Sequence, residues 1–186
     1  MRGAREQGSA IVESAIILPL IALIVFGIVE VGFLFRSATV VNSATRSGAR
    51  LAAAQYGAAS PGNQLATMNN VVATVEKDLE SRGSTDTPVQ LWIYSADAAG
   101  NPPSGGFGAC GSPCYVYTWD AGTGHFVYAS GSWPSPAACG PVHDSVGVYV
   151  KVNHDPIGFA SAFGSFTINE KTVMRLEPAN TCPGGT

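Results

Sequence analysis

The feature that most constrains this chain is an apolar run from Ser14 to Phe35, in which Glu30 is the only charged residue before Phe35. At about 1.5 Å per helical residue the run is roughly 33 Å long, enough to cross the hydrocarbon core of a bilayer. A cleaved secretory signal fits badly, because its apolar region is typically about 7–15 residues long. The run therefore predicts a single membrane-spanning helix, and a carboxylate inside such a helix needs a partner or a function.

The helical pattern continues beyond the apolar run. Small and apolar residues recur at spacings of three and four as Ser37, Val40, Val41, Ala44, Gly48 and Leu51. One continuous helix from about Ser9 to Gln55 would be near 70 Å long. Such a rod is longer than a small isolated domain needs, so we expect its small-residue stripe to pack against copies or relatives of the chain.

Four residues are expected to shape the packing of this helix. Pro19 removes an amide donor inside the apolar run and predicts a kink or a local loosening. Gly27, Gly32 and Gly48 offer small surfaces on which another helix could close, although they do not follow the four-residue repeat of a dimer motif.

The remainder of the chain predicts an exported α+β domain over 63–178, after a linker at 57–62 and before a tail at 179–186. Leu65, Met68, Val72, Val75 and Leu79 form one face of a helix. Strands are predicted at 89–94, 115–119, 125–129, 146–153 and about 165–176, and 115–119 with 125–129 forms a hairpin. A short helix is expected after Asp155. The fold class is thus a helix packed on a mainly antiparallel sheet, behind a long N-terminal transmembrane helix.

The cysteines all follow the apolar run, and their number is even: Cys110, Cys114, Cys139 and Cys182. Two disulfides in an oxidising compartment suit this distribution, and three pairings are open. A zinc site is disfavoured, because the spacing does not repeat the usual pairs of closely spaced ligands.

Charge and motif content exclude several classes of function. The net charge is -3 and charged residues make up 12% of the chain, so a surface that neutralises nucleic-acid phosphates is not expected. His125, His143 and His154 are scattered and are expected to be ordinary surface or loop residues. Neither a zinc-protease, a nucleophile-elbow nor a phosphate-loop motif occurs. We therefore expect no catalytic residue, no metal site and no cofactor.

Aromatic residues concentrate in the predicted strands. They could fill the core and edge of the sheet, which we favour, or form a face that binds glycans or surfaces. The residues concerned are Trp92, Tyr94, Tyr115, Tyr117, Trp119 and Trp133.

A more specific pattern lies at the N-terminus. A short leader with two arginines ends at Gly8, Glu13 follows five residues later, and Leu18-Pro19 lies inside the apolar run. The stretches Phe26–Gly32 and Ala44–Arg50 complete the pattern. Over about the first 50 residues, this order and spacing resembles the TadE-like proteins, pseudopilins of the tight-adherence (Flp-type) pilus systems. The end of the chain near residues 172–178 also looks like the terminal strand of that family, whereas 57–142 carries no pattern of it.

The resemblance implies cleavage by a prepilin peptidase between Gly8 and Ser9 on the cytoplasmic side. Cleavage would remove a leader at 1–8, leave a rod helix at 9–56, and make Glu13 the fifth residue of the mature chain. The Glu13 carboxylate and the new ammonium at Ser9 of a neighbouring subunit are opposite charges in or near lipid, so their pairing is favoured.

Glu13 and Glu30 are therefore the candidate assembly residues. For Glu30, the side chain either snorkels towards water or meets Arg36 or Arg46 of a neighbouring subunit.

The predicted function is that of a structural minor pilin or pseudopilin, taking part in pilus assembly, adhesion or secretion. Its expected partners are the membrane, the prepilin peptidase, other pilin or pseudopilin subunits in a homo- or hetero-oligomer, and the assembly platform. The expected location is the bacterial cytoplasmic membrane, with a cytoplasmic N-terminus and an extracytoplasmic domain that can enter a surface pilus. The alternative is a single-pass, membrane-anchored binding module that never polymerises.

Overall fold

The computed structural model describes residues 3–56, 63–83, 85–134, 136–138, 143–157, 161–162 and 164–178, with side chains from residue 11 onward. In this part of the chain the helices are α1 (Gly3–Gln55) and α2 (Gln64–Leu79). The strands are β1 (Asp86–Ala96), β2 (Cys114–Asp120), β3 (His125–Ser132), β4 (Ser145–His154) and β5 (Phe166–Arg175). The predicted α+β class is confirmed, and α1 continues through Pro19 as one rod.

The strands form one sheet in the order β3-β2-β1-β4-β5, and every neighbouring pair is antiparallel. All five predicted strands are present, and β2 and β3 form the predicted hairpin. The strand predicted at 89–94 extends over Asp86–Ala96 in the structure. Pro88 has no N–H to donate to the ladder, and a register shift between Pro88 and Gln90 accommodates it within β1.

Both helices cover the inner face of the sheet. In β4 the alternating residues Val146, Val148, Val150 and Val152 are fully buried on this face, as the period of two predicts. They meet apolar residues of α1 and α2 that are also fully buried, among them Val41, Ala44, Met68, Val71 and Val75. The domain is thus built onto the second half of α1.

The small-residue stripe of α1 corrects one expectation. Ser37, Val41, Ala44 and Gly48 are buried against the chain's own sheet and α2, so the prediction that this stripe packs against other copies is wrong. A Cβ at Gly48 would lie 2.6 Å from Val75 Cγ2, which makes this glycine the point where α1 and α2 approach closely. Small residues permit close packing within a chain as well as between chains.

The outer face of the sheet is partly covered by the connection between β1 and β2. Phe107 stacks on Tyr149 with ring centroids 3.8 Å apart and meets Trp92 and Tyr94 edge-on. A disulfide between Cys110 and Cys114 closes the end of this connection. One of the open pairings is thereby settled, and Cys139 and Cys182 lie outside the described residues.

The aromatic residues of the sheet mostly fill core. Tyr115, Tyr117 and Trp133 are at most 5% exposed on the inner side, and Trp119 is partly buried against them. The predicted linker at 57–62, the tail at 179–186 and most of the short helix after Asp155 fall outside the described residues.

Candidate functional site

The first part of α1 has no cover from the rest of the described chain. Every side chain from Ile11 to Val29 is exposed. This bare segment is about 28 Å long, close to the roughly 30 Å of a hydrocarbon core. Within the described residues, α1 from Ile11 onward is also the one helix apolar and long enough to cross a membrane, and its most apolar stretch of 18 residues has a mean hydropathy of 2.7. By length and composition it supports a single-pass membrane anchor.

Glu30 ends the bare segment, since it is the first buried residue of α1 among those whose side chains are described. Its side chain is 7% exposed. Glu30 Oε1 lies 2.8 Å from Nε2 of His154, and Oε2 accepts a hydrogen bond of 3.2 Å from the backbone N–H of Ile157. The carboxylate predicted to need a partner therefore has one in its own chain, at the far end of β4.

His154 joins Glu30 to a second carboxylate. The ring is fully buried, and its Nδ1 lies 2.6 Å from Oδ1 of Asp86. The other oxygen of Asp86 accepts hydrogen bonds from Ser37 Oγ at 2.5 Å and from the Gly83 N–H at 3.0 Å. We refer to Glu30, Ser37, Asp86 and His154 as the junction network, because these residues connect the anchor helix to the sheet.

Local structure explains how these residues meet. Asp86 and His154 are direct cross-strand partners at one end of the β1–β4 ladder. Glu30 and Ser37 lie two turns apart on α1 and therefore face the same side. His154 has the same parity as the buried valines of β4, so it points towards the inner face where α1 lies.

Burial and hydrogen bonding act in opposite directions on the His154 ring. Burial alone lowers the pKa of His154, because it disfavours the charged form. The hydrogen bonds to Asp86 and Glu30, together with the attraction of the two carboxylates, outweigh burial and raise the pKa above the ordinary value of 6.5. The network thus favours an imidazolium between two carboxylates.

The junction network lacks the geometry of a nucleophilic site. Ser37 Oγ donates to Asp86 and not to a nitrogen of His154, so these residues do not form a serine–histidine–carboxylate triad. All four side chains are buried in the described structure. Across the described part of the chain, no cluster of three or more His, Cys, Asp or Glu side chains could hold a metal ion.

The predicted site residues are distributed along α1 and do not form one cluster. Glu13 is exposed within the bare segment and has no hydrogen bond or ion pair with any described side chain. Gly27 and Gly32 are exposed, and a Cβ at either would meet nothing within 4 Å, whereas Gly48 is enclosed by the domain. Gly8 and Ser9 lie in the helical backbone of α1, and their side chains are not described.

His154 and Asp86 are the residues that sequence reasoning missed. The expectation that each histidine is an ordinary surface or loop residue is wrong for His154, which is 0% exposed. Its even spacing from the valines of β4 was the available signal. The sequence contained no such signal for Asp86, because the register shift after Pro88 breaks the alternation that would have assigned Asp86 to the inner face.

A cleft lies on the outer face of the sheet. Its volume is about 510 Å³, and Gln90, Trp92, Thr118 and Ser130 are among the residues that line it. Nε1 of Trp92 is buried and has no hydrogen-bond partner within the described structure. The lining includes no charged side chain.

Comparison with known protein families gives a match in the N-terminal part of the chain. Residues 8–50 match the family model described as TadE-like protein, which confirms the resemblance found in the sequence. No curated protein and no solved structure matches the chain. The matched range contains Gly8, Glu13, Glu30 and Gly48 but none of the sheet.

Proposed function

We propose that this chain is a pilin-like subunit associated with a Tad-type pilus, acting as a minor pilin or pseudopilin in assembly, adhesion or secretion. The observation that carries the proposal is the division of α1. Within the range that matches the TadE-like family, the side chains described up to Val29 are all exposed, and the positions of the helix that are buried against the domain begin at Glu30. A subunit of this shape can remain anchored in a membrane or pack its bare helix against other helices.

Glu13 supplies the specificity of that packing. A carboxylate inside an apolar segment is costly unless a partner compensates it. Cleavage after Gly8 by a prepilin peptidase would create an ammonium at Ser9, and the Ser9 ammonium of a neighbouring subunit is an opposite charge for Glu13. The pair would set the register in which one subunit docks on the next, while Gly27 and Gly32 leave room for a helix to approach this part of α1.

The proposed orientation places the N-terminus in the cytoplasm and the domain outside the membrane. The Cys110–Cys114 disulfide supports this, because disulfides persist in oxidising compartments and are rare in the cytosol. The division into leader, rod, linker, domain and tail belongs to the same proposal. So do the partners: the prepilin peptidase, other pilin subunits and the assembly platform.

The role proposed for Glu30 in assembly is narrower than that of Glu13. Its carboxylate is already engaged by His154 and by the Ile157 N–H. Glu30 would contribute by fixing the domain on the anchor helix, so that the bare segment and the domain meet a neighbour in a constant geometry.

The experiment compares processing with assembly in cells that contain the pilus machinery. Intact-mass measurement of the membrane-extracted chain should show the loss of Met1 to Gly8. A Gly8→Leu variant should stay uncleaved, and a Glu13→Gln variant should be cleaved but absent from the sheared surface fraction. Glu80→Gln removes an equivalent charge from an exposed position in the domain and should behave as the unmodified chain.

A chain that stays uncleaved, and whose Glu13→Gln variant reaches its normal location, would contradict the pilin function. The outcome would favour the membrane-anchored binding module, for which the uncharged cleft beside Trp92 is the natural binding surface.

A further inference from the structure

The junction network needs one more proton than a neutral histidine provides. Both ring nitrogens of His154 face carboxylate oxygens, at 2.6 Å from Asp86 and 2.8 Å from Glu30. A neutral imidazole has a single N–H, and an ionised carboxylate can only accept hydrogen bonds. Both contacts can therefore be hydrogen bonds only when an additional proton is bound.

The surrounding donors place that proton on the ring. The second oxygen of Asp86 already accepts from Ser37 Oγ and the Gly83 N–H, and the second oxygen of Glu30 accepts from the Ile157 N–H. Hydrogen bonds to a carboxylate favour its ionised form. His154 is then an imidazolium that donates to one carboxylate on each side.

We propose that the junction network is a proton-dependent latch: a proton bound on His154 holds Glu30 of the anchor helix against Asp86 and the sheet, and its loss releases this contact at the membrane-proximal edge of the domain. The latch acts within one chain and goes beyond assembly into a filament. It would make the angle between anchor and domain sensitive to pH.

Loss of the proton has a local effect. One ring nitrogen would then present a lone pair to a carboxylate oxygen less than 3 Å away, with both groups buried. Unpaired polar groups in such a place are strongly unfavourable. The apolar contacts of Val41 and Ala44, further along α1, contain no titrating group and keep the rest of the helix on the domain. Opening is therefore confined to Glu30, Ser37 and the end of β4.

The other charged groups around His154 do not replace the latch. Arg82 Nε donates to the backbone oxygen of Asp86, and Arg36 donates to the backbone oxygen of Ser81, so neither pairs with the carboxylates. Glu80 lines the small cavity beside Asp86. Asp155, which follows His154 directly after the end of β4, is exposed. The cross-strand neighbour on β5 is the uncharged Phe166.

The direction of the pH effect follows from the ring. The pKa of folded His154 is raised above 6.5, so the stabilisation is fully present below the unfolded value and is lost as pH rises through the folded value. Between the unfolded and the folded pKa, each pH unit should increase the opening equilibrium about tenfold, because opening there is linked to the loss of one proton, and above the folded pKa the equilibrium should no longer change with pH.

Hydrogen–deuterium exchange on the full chain in detergent micelles tests this at pH 6 and pH 9, after correction for the intrinsic exchange rate. The amides of Gly83 and Ile157, which bond to the network carboxylates, should be less protected at pH 9 than at pH 6. Amides in the middle of β1 should not change. Equal protection of Gly83 and Ile157 at both pH values would overturn the latch.

Glu30→Gln is the decisive variant. A glutamine amide can donate to Nε2 while a neutral ring donates from Nδ1 to Asp86, so every group is satisfied without the extra proton. The Glu30→Gln chain should keep its protection at both pH values, whereas His125→Gln, which removes an exposed histidine, should behave as the unmodified chain. The same loss at pH 9 in Glu30→Gln as in the unmodified chain would refute the mechanism.

A measurement on the unmodified chain covers the case in which Glu30→Gln fails to fold. Nitrogen-15 NMR of the histidine rings should find both nitrogens of His154 protonated at pH 6. A neutral tautomer at that pH would also refute the proposal.

Discussion

Replacing Gly48 by alanine tests whether the second half of α1 packs within its own domain. Gly48 is buried, and an added Cβ would lie 2.6 Å from Val75 Cγ2 and 3.4 Å from Val148 Cγ1. The first distance is too short for two carbon atoms in contact, which prefer roughly 3.5–4.0 Å. Helix α2 must therefore move, or the side chain of Val75 must leave its rotamer.

Two opposing effects set the magnitude. Alanine is favoured over glycine inside a helix by about 1 kcal/mol. Overpacking a close-packed core typically costs about 1–3 kcal/mol, and Val75 is fully buried and stiff because it is β-branched. We expect Gly48→Ala to lower the free energy of unfolding by about 1 kcal/mol. For a chain of this size, the melting temperature should fall by about 2–4 °C.

The assay is thermal unfolding of the full chain in detergent, followed by near-ultraviolet circular dichroism. Val75→Ala removes the methyl group that Gly48→Ala would meet. In that background the added methyl should stabilise the chain, because only the helix preference of about 1 kcal/mol remains. Gly32→Ala, on the same helix with nothing within 4 Å, controls for helix preference alone.

The reversal of sign is the critical result. If Gly48→Ala changes the free energy of unfolding equally in the unmodified chain and in the Val75→Ala background, residues 48 and 75 are not in contact. The stripe on α1 would then face something other than the chain's own domain.

Two further changes probe the attachment of the hairpin and of the outer loop. The Phe126 N–H donates to Glu76 Oε1 at 2.5 Å, so Glu76→Ala should lower the free energy of unfolding by about 1–3 kcal/mol and accelerate amide exchange at Phe126. Glu76→Gln keeps an acceptor at this place and should restore most of the protection of that amide. Gly147→Ala should displace the buried Tyr94 ring that lies over Gly147, and limited proteolysis should then cut the loop at 97–113 faster. The control is Gly106→Ala, where an added Cβ meets nothing within 4 Å, and it should leave the cleavage rate unchanged. If amide exchange at Phe126 is unaltered in Glu76→Ala, the prediction for the hairpin is contradicted. If the cleavage rate is unaltered in Gly147→Ala, the prediction for the outer loop is contradicted.

Much of the fold could be predicted because it depends on local periodicity. The valines of β4 alternate strictly. In α1 an apolar run is followed by a helical pattern that continues to Gln55. The β2–β3 hairpin follows from two aromatic-rich strands around a glycine-containing turn. Each of these signals lies within a few residues of the element that it predicts.

Packing partners could not be predicted in the same way. The stripe from Ser37 to Gly48 requires a close neighbour, but the pattern is identical whether the neighbour is α2 of the same chain or a helix of another subunit. Choosing between them needs the position of Val75 in space, which depends on how the sheet and both helices assemble.

The junction network shows the same limit at a functional position. Glu30 and His154 are 124 residues apart in sequence, and no local pattern couples them. The apolar run showed that Glu30 required an explanation. The alternation of β4 showed which face of the sheet His154 points to. Only the fold shows that the Glu30 carboxylate and the His154 ring contact each other.

The two acids of the anchor helix can now be assigned different tasks. Glu13 and Glu30 lie towards opposite ends of the bare apolar segment, and both carry the same cost of placing a carboxylate beside lipid. Glu30 offsets that cost within the chain through His154, whereas Glu13 has no hydrogen bond or ion pair with a described side chain. A charge left uncompensated in the single subunit favours binding to an opposite charge elsewhere. Under the proposed function, Glu13 would therefore be the acid that recognises another subunit, and Glu30 the acid that holds the domain in place.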